Sequence, residues 1–74
     1  MSHRVIARGI LPDSKPRVWV TITADYDPNR EKVVTLISVT WQNNELVSNL
    51  LPHQVEQLEA DVYYSIHPDK KNHP

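Results

Sequence analysis

One stretch of the chain, RVWVTITADYDPNREKVVTLISVTW at residues 17–41, constrains the fold more than any other. Residues 17–26 and 31–41 alternate apolar and polar side chains and are rich in β-branched and aromatic residues, which is typical of half-buried strands. Between them, Pro28 and Asn29 favour a turn, because proline presets its φ angle and asparagine tolerates a left-handed conformation. The sequence therefore predicts an antiparallel β-hairpin.

The turn also predicts the register of the hairpin, with Tyr26 opposite Glu31. In this register Asp25 lies opposite Lys32, which is a favourable pairing of charges across the two strands. One face of the sheet then carries the apolar side chains Val18, Val20, Ile22, Val33, Ile37, Val39, Trp41 and Leu46. The other face carries, among threonines and serines, Trp19, Val34, Leu36 and Val47.

The segment after the hairpin predicts a short strand and then a helix. A two-residue turn at Asn43 and Asn44 leads to a third strand that ends near Ser48. The helix spans residues 52–67, and Pro52 suits its first turn, where a missing N–H has no cost. Its apolar side chains recur at helical spacing, in the order Leu51, Val55, Leu58, Val62 and Ile66.

These elements predict an α+β fold, in which a three-stranded antiparallel meander packs on one C-terminal α-helix. We assign residues 1–74 to one domain, with the meander at residues 17–48 and a flexible tail at residues 68–74. Residues 1–16 are a basic segment that contains RVIARGIL. One alternative for this segment is a fourth strand, and another is a cover over the sheet face that carries Trp19.

The charge distribution separates the start of the chain from its body. Residues 1–17 hold four basic side chains against one carboxylate, a net charge of +3. Residues 18–68 hold seven carboxylates against two basic side chains, a net charge of −5. An acidic body repels a nucleic-acid backbone and attracts basic protein surfaces. The charge pattern therefore favours a protein partner over nucleic acid.

Residue types and spacings argue against several kinds of site. The chain has no cysteine, so disulfides and thiolate metal sites are impossible. On one helix, His53 and His67 would stand about 21 Å apart, too far to share an ion. Ser65 and His67 do not face each other at their i, i+2 spacing. We therefore expect no metal, no cofactor and no enzymatic activity, and, without a membrane-spanning stretch, a cytoplasmic protein.

Two surfaces are candidates for binding a partner. The outer face of the helix carries side chains that combine apolar area with hydrogen bonding: His53, Gln57, Tyr64 and His67. The second surface is the sheet face with Trp19 and Leu36. It carries more apolar side chains than a solvent-exposed face usually does, but too many polar ones for a second core. A second copy of the chain that covers this sheet face would form a homodimer.

The segment LISVTWQNNELVSNLLPHQVEQLEADV resembles short phage and prophage proteins of unassigned function. In those proteins a strand that ends in Ser-Val-Thr leads through a turn to a Leu-Leu pair and then to a helix with a Gln/Glu-rich first turn. Trp41 and the helix start at Pro52 and His53 depart from that pattern, and the resemblance covers about residues 17–66, including the acidic strand VTITADYDP. The matching residues are Ser38, Val39, Thr40, Leu50, Leu51, Gln54, Glu56 and Leu58.

The resemblance implies a context for the function. Small, acidic, non-catalytic phage proteins often bind and block a host protein, including defence nucleases and polymerase components. We therefore predict a small non-enzymatic protein-binding module, with inhibition or regulation of a host protein as the action that the resemblance implies. The alternative is nucleic-acid binding through the basic N-terminus and Trp19, and the third reading is a structural or assembly homodimer.

Overall fold

The computed structural model describes residues 2–67, which form an antiparallel sheet and one long helix. The spatial order of the strands is β1-β2-β3-β4, and the helix packs on one face of the sheet, so the predicted α+β fold is confirmed. The predicted tail at residues 68–74 lies outside the described residues. The elements are β1 (His3–Ile10), β2 (Trp19–Tyr26), β3 (Val34–Trp41), β4 (Asn44–Glu45), a short 3-10 helix (Val47–Asn49) and α1 (Pro52–Ile66).

The basic N-terminal segment forms a strand of the sheet. β1 pairs with β2 along its whole length, so that Ile10 lies opposite Trp19. The loop between these strands is closed by Ser14, whose hydroxyl donates to the carbonyl of Leu11 (2.7 Å) and accepts from the N–H of Val18 (3.2 Å). Of the alternatives for this segment, the fourth strand is therefore the one that forms, and the segment does not cover the face of Trp19.

The hairpin of β2 and β3 forms where it is predicted, but its register is different. Tyr26 lies opposite Val34 rather than Glu31, so the predicted register is wrong. The connection is longer because Asp27 organises it: its side-chain Oδ1 accepts from the N–H of Asn29 (3.0 Å), and Asp27 itself is buried in the loop. Such a side-chain bond to the backbone stabilises a wider turn than proline and asparagine alone suggest.

A β-bulge in β3 changes which of its side chains face α1. The register shifts where Ala24 lies opposite Leu36, and Ile37 is left without a partner in the ladder. Because side chains alternate along a strand, a one-residue shift moves a side chain to the other face. Val34 and Leu36 therefore contact the core on the α1 side. The prediction that Leu36 shares a surface with Trp19 is wrong.

β3 and β4 are joined by a two-residue turn at Gln42 and Asn43, which have φ angles of 50° and 67°. Trp41 lies opposite Asn44, so the turn begins one residue earlier than predicted. Positive φ at both positions matches the right-handed twist of the flanking strands, and asparagine adopts it readily. β4 is only two residues long, because the chain enters the 3-10 helix at Val47.

The core lies between α1 and the covered face of the sheet. Leu58 and Val62 of α1 are fully buried, and burial of such a side chain contributes roughly 1.5–3 kcal/mol. Leu51, which was predicted for the same apolar stripe, is 56% exposed because it is the N-cap residue and precedes the helix. The sheet contributes the buried side chains Val20, Ile22, Ala24, Val34 and Val39.

α1 is tied to the rest of the fold at both ends. At its start, Gln54 Oε1 accepts from the N–H of Leu51 (2.8 Å), and Gln54 Nε2 donates to the carbonyl of Pro12 (2.9 Å) in the β1–β2 loop. At its end, His67 Nε2 lies 2.9 Å from the hydroxyl of Tyr26 on β2. These two contacts hold the helix at a defined position across the sheet.

Candidate binding surface at the free edge of the sheet

The face of the sheet opposite α1 is uncovered, and we call it the outer face. Two large apolar side chains on it are strongly exposed, Ile6 at 70% and Trp19 at 56%. Apolar groups of this size on one exposed face are typical of an interaction surface. Alternation along β1 and β2 places on this face Arg4, Ile6, Arg8, Ile10, Trp19, Thr21, Thr23 and Asp25.

The two arginines of the outer face have different partners. Arg4 Nε lies 3.6 Å from Asp25 Oδ1, so its charge is partly balanced within the sheet. The guanidinium of Arg8 lies 6.0 Å from the centre of the Trp19 ring, which is a cation–π distance. Within residues 2–67, Arg8 forms no ion pair with a carboxylate. This end of the outer face is therefore both basic and aromatic.

A groove of about 470 Å³ lies beside Gly9, at the margin between the outer face and α1. Its lining includes Trp19 from β2 and Asp61 and Tyr64 from α1. Glycine suits this position because a Cβ atom on Gly9 would lie 3.1 Å from Ile22 Cδ1 and 3.7 Å from Asp61 Oδ2. The groove brings together Trp19 and Tyr64, which were predicted on two separate surfaces.

β1 is the edge strand beside this groove, and its outward backbone groups have no partner within residues 2–67. The N–H of Leu11 donates to the carbonyl of Val18 (2.9 Å). This bond sets the phase of the antiparallel ladder, that is, which residues of β1 direct their backbone groups towards β2 and which direct them outward. Because bonded and non-bonded pairs alternate in such a ladder, the odd-numbered residues of β1 bond β2. The residues whose N–H and C=O groups point away from the sheet are Arg4, Ile6, Arg8 and Ile10.

On the opposite side of the sheet, β4 covers the end of β3, and carboxylates accept two of the outward N–H groups of β3; we call this side the closed edge. Glu59 of α1 accepts from the N–H of Leu36 (2.8 Å), and its other oxygen lies 3.1 Å from Lys32 Nζ. Glu45 of β4 accepts from the N–H of Val39 (2.9 Å). The outward N–H groups of β3 at these two positions are therefore occupied, unlike those of β1.

Hydrogen-bond donors hold Glu45 in its carboxylate form. The Ser38 hydroxyl donates to Glu45 Oε1 (2.6 Å), and the N–H groups of Val39 and Val47 donate to Oε2. The bond from Ser38, followed by that from Val39, lowers the pKa of Glu45 below its usual value of 4.5. Glu45 therefore closes its part of the β3 edge as an anion at neutral pH.

The helix residues predicted to bind a partner lie in different surroundings. His53 is exposed, but its Nε2 lies 2.6 Å from Asp13 Oδ2. Gln57 is also exposed and donates to Asp61 Oδ1 (3.2 Å). Tyr64 is 39% exposed and lines the groove. Of the four predicted helix residues, Tyr64 is thus the one that belongs to the groove.

His67 does not lie on the solvent-facing side of α1, so that part of the prediction is wrong. Its ring contacts the hydroxyl of Tyr26 and lies 4.7 Å, centre to centre, from the ring of Tyr63. The physical reason is that α1 ends at Ile66, and the backbone of His67 leaves helical geometry with φ −122° and ψ 68°. The side chain consequently turns towards the sheet and is half-buried there.

Three important residues of this region carry no distinctive sequence motif. Arg8 and Gly9 follow from the alternation of HRVIARGI only once that segment is assigned as a strand. Glu59 offered a clearer signal. It lies four residues after Val55 and three before Val62, so helical spacing places this carboxylate beside the apolar stripe.

Three further observations concern metal-binding groups, membrane-spanning helices and similarity to known proteins. Residues 2–67 contain no group of three or more histidine, cysteine, aspartate or glutamate side chains that could hold a metal ion. No helix within this range is long and apolar enough to cross a membrane. Comparisons with models of protein families, with curated proteins and with solved structures found no match.

Proposed function

We propose that the protein is a small non-enzymatic module that binds another protein through its outer face and the groove beside Gly9. The observation that carries this proposal is the exposure of Ile6 and Trp19 on one uncovered face of the sheet. Tryptophan, tyrosine and arginine dominate the binding energy of protein interfaces. Trp19, Tyr64 and Arg8 supply one of each around the same groove.

Within this proposal, the partner is a host protein that the module inhibits or regulates in the cytoplasm. The support is the similarity of the strand–turn–helix segment to short phage proteins, together with the acidic body of the chain. A bound module of this kind acts by covering part of its partner's surface, so it needs no catalytic group.

A homodimer through the sheet face has less support than a different protein partner. The surface predicted for it combined Trp19 with Leu36, but Leu36 contacts the core on the α1 side of the sheet. What is left for self-association on the outer face is Trp19 with Ile10 opposite it, and Ile6 further along β1. We therefore rank the structural homodimer below a protein or nucleic-acid partner.

Binding of single-stranded nucleic acid is a second candidate, favoured by the contact between Arg8 and Trp19. An aromatic ring flanked by arginines is a platform on which bases stack and phosphates are neutralised. Arg17 is exposed and precedes Trp19 by two residues, which adds a further positive charge near this platform. The net charge of −1 for the whole chain opposes this function.

A pull-down with the tagged full chain from bacterial lysate, with and without nuclease, tests the proposal. We expect the same protein to be recovered in both arms, because an interface between two proteins does not depend on intact nucleic acid. Recovery that disappears with nuclease would contradict protein binding and favour the second candidate.

Two tryptophan variants locate the surface. Trp19→Ala should abolish recovery of the partner, whereas Trp41→Ala, which removes an exposed tryptophan from the end of β3, should leave it unchanged. Circular dichroism should show that both variants remain folded. Equal loss of the partner in the two variants would contradict binding at the outer face.

A further inference from the structure

We propose that the partner supplies an extended, acidic segment that pairs with β1 as a fifth strand of the sheet. This inference rests on the proposed protein-binding function, and it adds the chemistry of the partner and the way in which it binds. Three observations support it: the open backbone of β1, the arginines beside that backbone, and the closed state of the opposite edge.

The backbone of β1 is ready to bind a strand. The N–H and C=O groups of its even-numbered residues, at positions 4–10, point away from the sheet at the spacing of a β-ladder. A peptide that pairs with such an edge gains main-chain hydrogen bonds, while pockets for alternate side chains provide specificity. The groove beside Gly9, bounded by Trp19 and Tyr64, offers space for one of those side chains.

The charge of β1 selects the kind of strand that fits. Arg4 and Arg8 lie on the outer face with Ile6 between them. A paired strand brings each of its side chains within about 5 Å of the residue opposite. Arg8 has no carboxylate partner in the described part of the chain, and Arg4 has one contact of 3.6 Å with Asp25. A strand with acidic, apolar and acidic residues at alternate positions therefore complements β1.

The same arginines disfavour a second copy of this chain as the added strand. If two β1 strands paired antiparallel about Ile6, Arg4 of each copy would lie opposite Arg8 of the other. If they paired about Ala7, the two copies of Arg8 would be diagonal neighbours. Like charges in these positions destabilise a sheet and protect edge strands from self-association. β1 is thus suited to an acidic strand rather than to itself.

A display library of random decapeptides, screened against the immobilised full chain, tests this inference. We expect enrichment of sequences in which two acidic residues flank an apolar residue at alternate positions. A synthetic copy of the most enriched peptide should slow hydrogen exchange at the outward amides of residues 4, 6, 8 and 10. A library without enriched peptides, or enrichment without acidic residues, overturns the inference, as does binding that leaves these amides unprotected.

Variants and a modified peptide test charge and backbone separately. Arg8→Gln should weaken binding of the peptide about tenfold or more. The matched control Arg30→Gln, which removes an exposed arginine from the β2–β3 loop, should leave binding unchanged. Arg8→Glu should bind the peptide again when lysine replaces only the acidic residue that lies opposite position 8. Methylation of alternate backbone nitrogens in the peptide should abolish binding, and binding that survives it overturns the inference.

Failure of this inference is distinguishable from failure of the proposed function. Capture of a lysate protein that depends on Trp19, without protection of the β1 amides, keeps the binding module and rejects strand addition. Binding of an oligothymidine that outcompetes every enriched peptide and vanishes at high salt rejects both, in favour of nucleic acid.

Discussion

The strands β1 and β3 have equal lengths, but their outward backbone groups differ in whether they have hydrogen-bond partners. β1 and β3 each contain eight residues and each present outward backbone groups. At β3, Glu59 and Glu45 accept the N–H groups of Leu36 and Val39, whereas at β1 the outward groups of residues 4–10 face solvent. An exposed edge is a template for pairing. The difference therefore leaves β1 as the strand with the longer run of unpaired outward backbone groups.

The two edges also differ in charge. The closed edge carries the carboxylates of Glu59 and Glu45, while the open edge carries Arg4 and Arg8. Carboxylates at β3 repel an acidic strand, and arginines at β1 attract one. The sign of the charge beside an edge strand can therefore both protect that strand from unwanted pairing and determine which partner strand binds it.

Proline substitutions in β1 should give the largest effect and test whether the open edge has the assigned phase. Ala7 bonds β2 through its backbone, so Ala7→Pro should lower the free energy of unfolding by about 3 kcal/mol or more. Ile6→Pro places proline where the N–H faces solvent, so the loss of stability should be much smaller while strand addition is blocked. Urea denaturation measures both. Equal destabilisation would contradict the assigned phase.

Removal of Glu59 should give the next largest effect, because it opens the closed edge. Glu59→Ala leaves the N–H of Leu36 without its acceptor and Lys32 without its partner, which should cost about 2 kcal/mol in urea denaturation. The variant should also associate as its concentration rises, as measured by sedimentation. Glu56→Ala, an exposed glutamate on the same helix, is the control and should change stability by less than about 0.5 kcal/mol.

A smaller effect is expected from the hydrogen bond that ties the end of α1 to β2. Tyr26→Phe removes the hydrogen bond to His67 and should lower the stability by about 1 kcal/mol. Tyr64→Phe removes a hydroxyl from an exposed ring on the same helix and is the matched control. Thermal denaturation followed by circular dichroism compares the two variants. If they melt together, the contact between Tyr26 and His67 does not help to hold the helix.

The smallest effect concerns the acid sensitivity of the closed edge. Because the folded state lowers the pKa of Glu45 from 4.5, its stabilisation is complete above pH 4.5 and is lost as pH falls through the folded pKa. The difference in stability between the natural chain and Glu45→Gln should therefore shrink below pH 4.5. Urea denaturation at neutral and acidic pH measures this difference. A difference that is independent of pH would contradict the role of the carboxylate.

Local patterns account for the elements of the fold but not for their register. Alternation in residues 17–26 and the helical spacing of Leu58 and Val62 both depend on neighbours in the chain, so strand and helix are predictable from them. The register of β2 and β3 depends instead on Asp27, which widens the loop, and on the bulge at Ile37. Neither feature has a periodic signal in the sequence.

The candidate site was predictable in part. Trp19 and Tyr64 stand out in the sequence because each is a large aromatic side chain on a face without a core role. Their meeting at one groove requires β1 and α1 to lie side by side, with Gly9 between them. Leu36 and His67 were assigned to the wrong surfaces, because a bulge and a helix end reverse the direction of a side chain within one or two residues.

The sequence by itself determined the β2–β3 hairpin, the helix and the α+β class, because apolar periodicity acts over a few residues and selects one backbone geometry. Only the tertiary structure decided which edge of the sheet is closed and which is open. That outcome depends on contacts between residues far apart in the chain, such as Glu59 with Leu36 and Tyr26 with His67. Such contacts form only when the helix has docked, so no local pattern contains them.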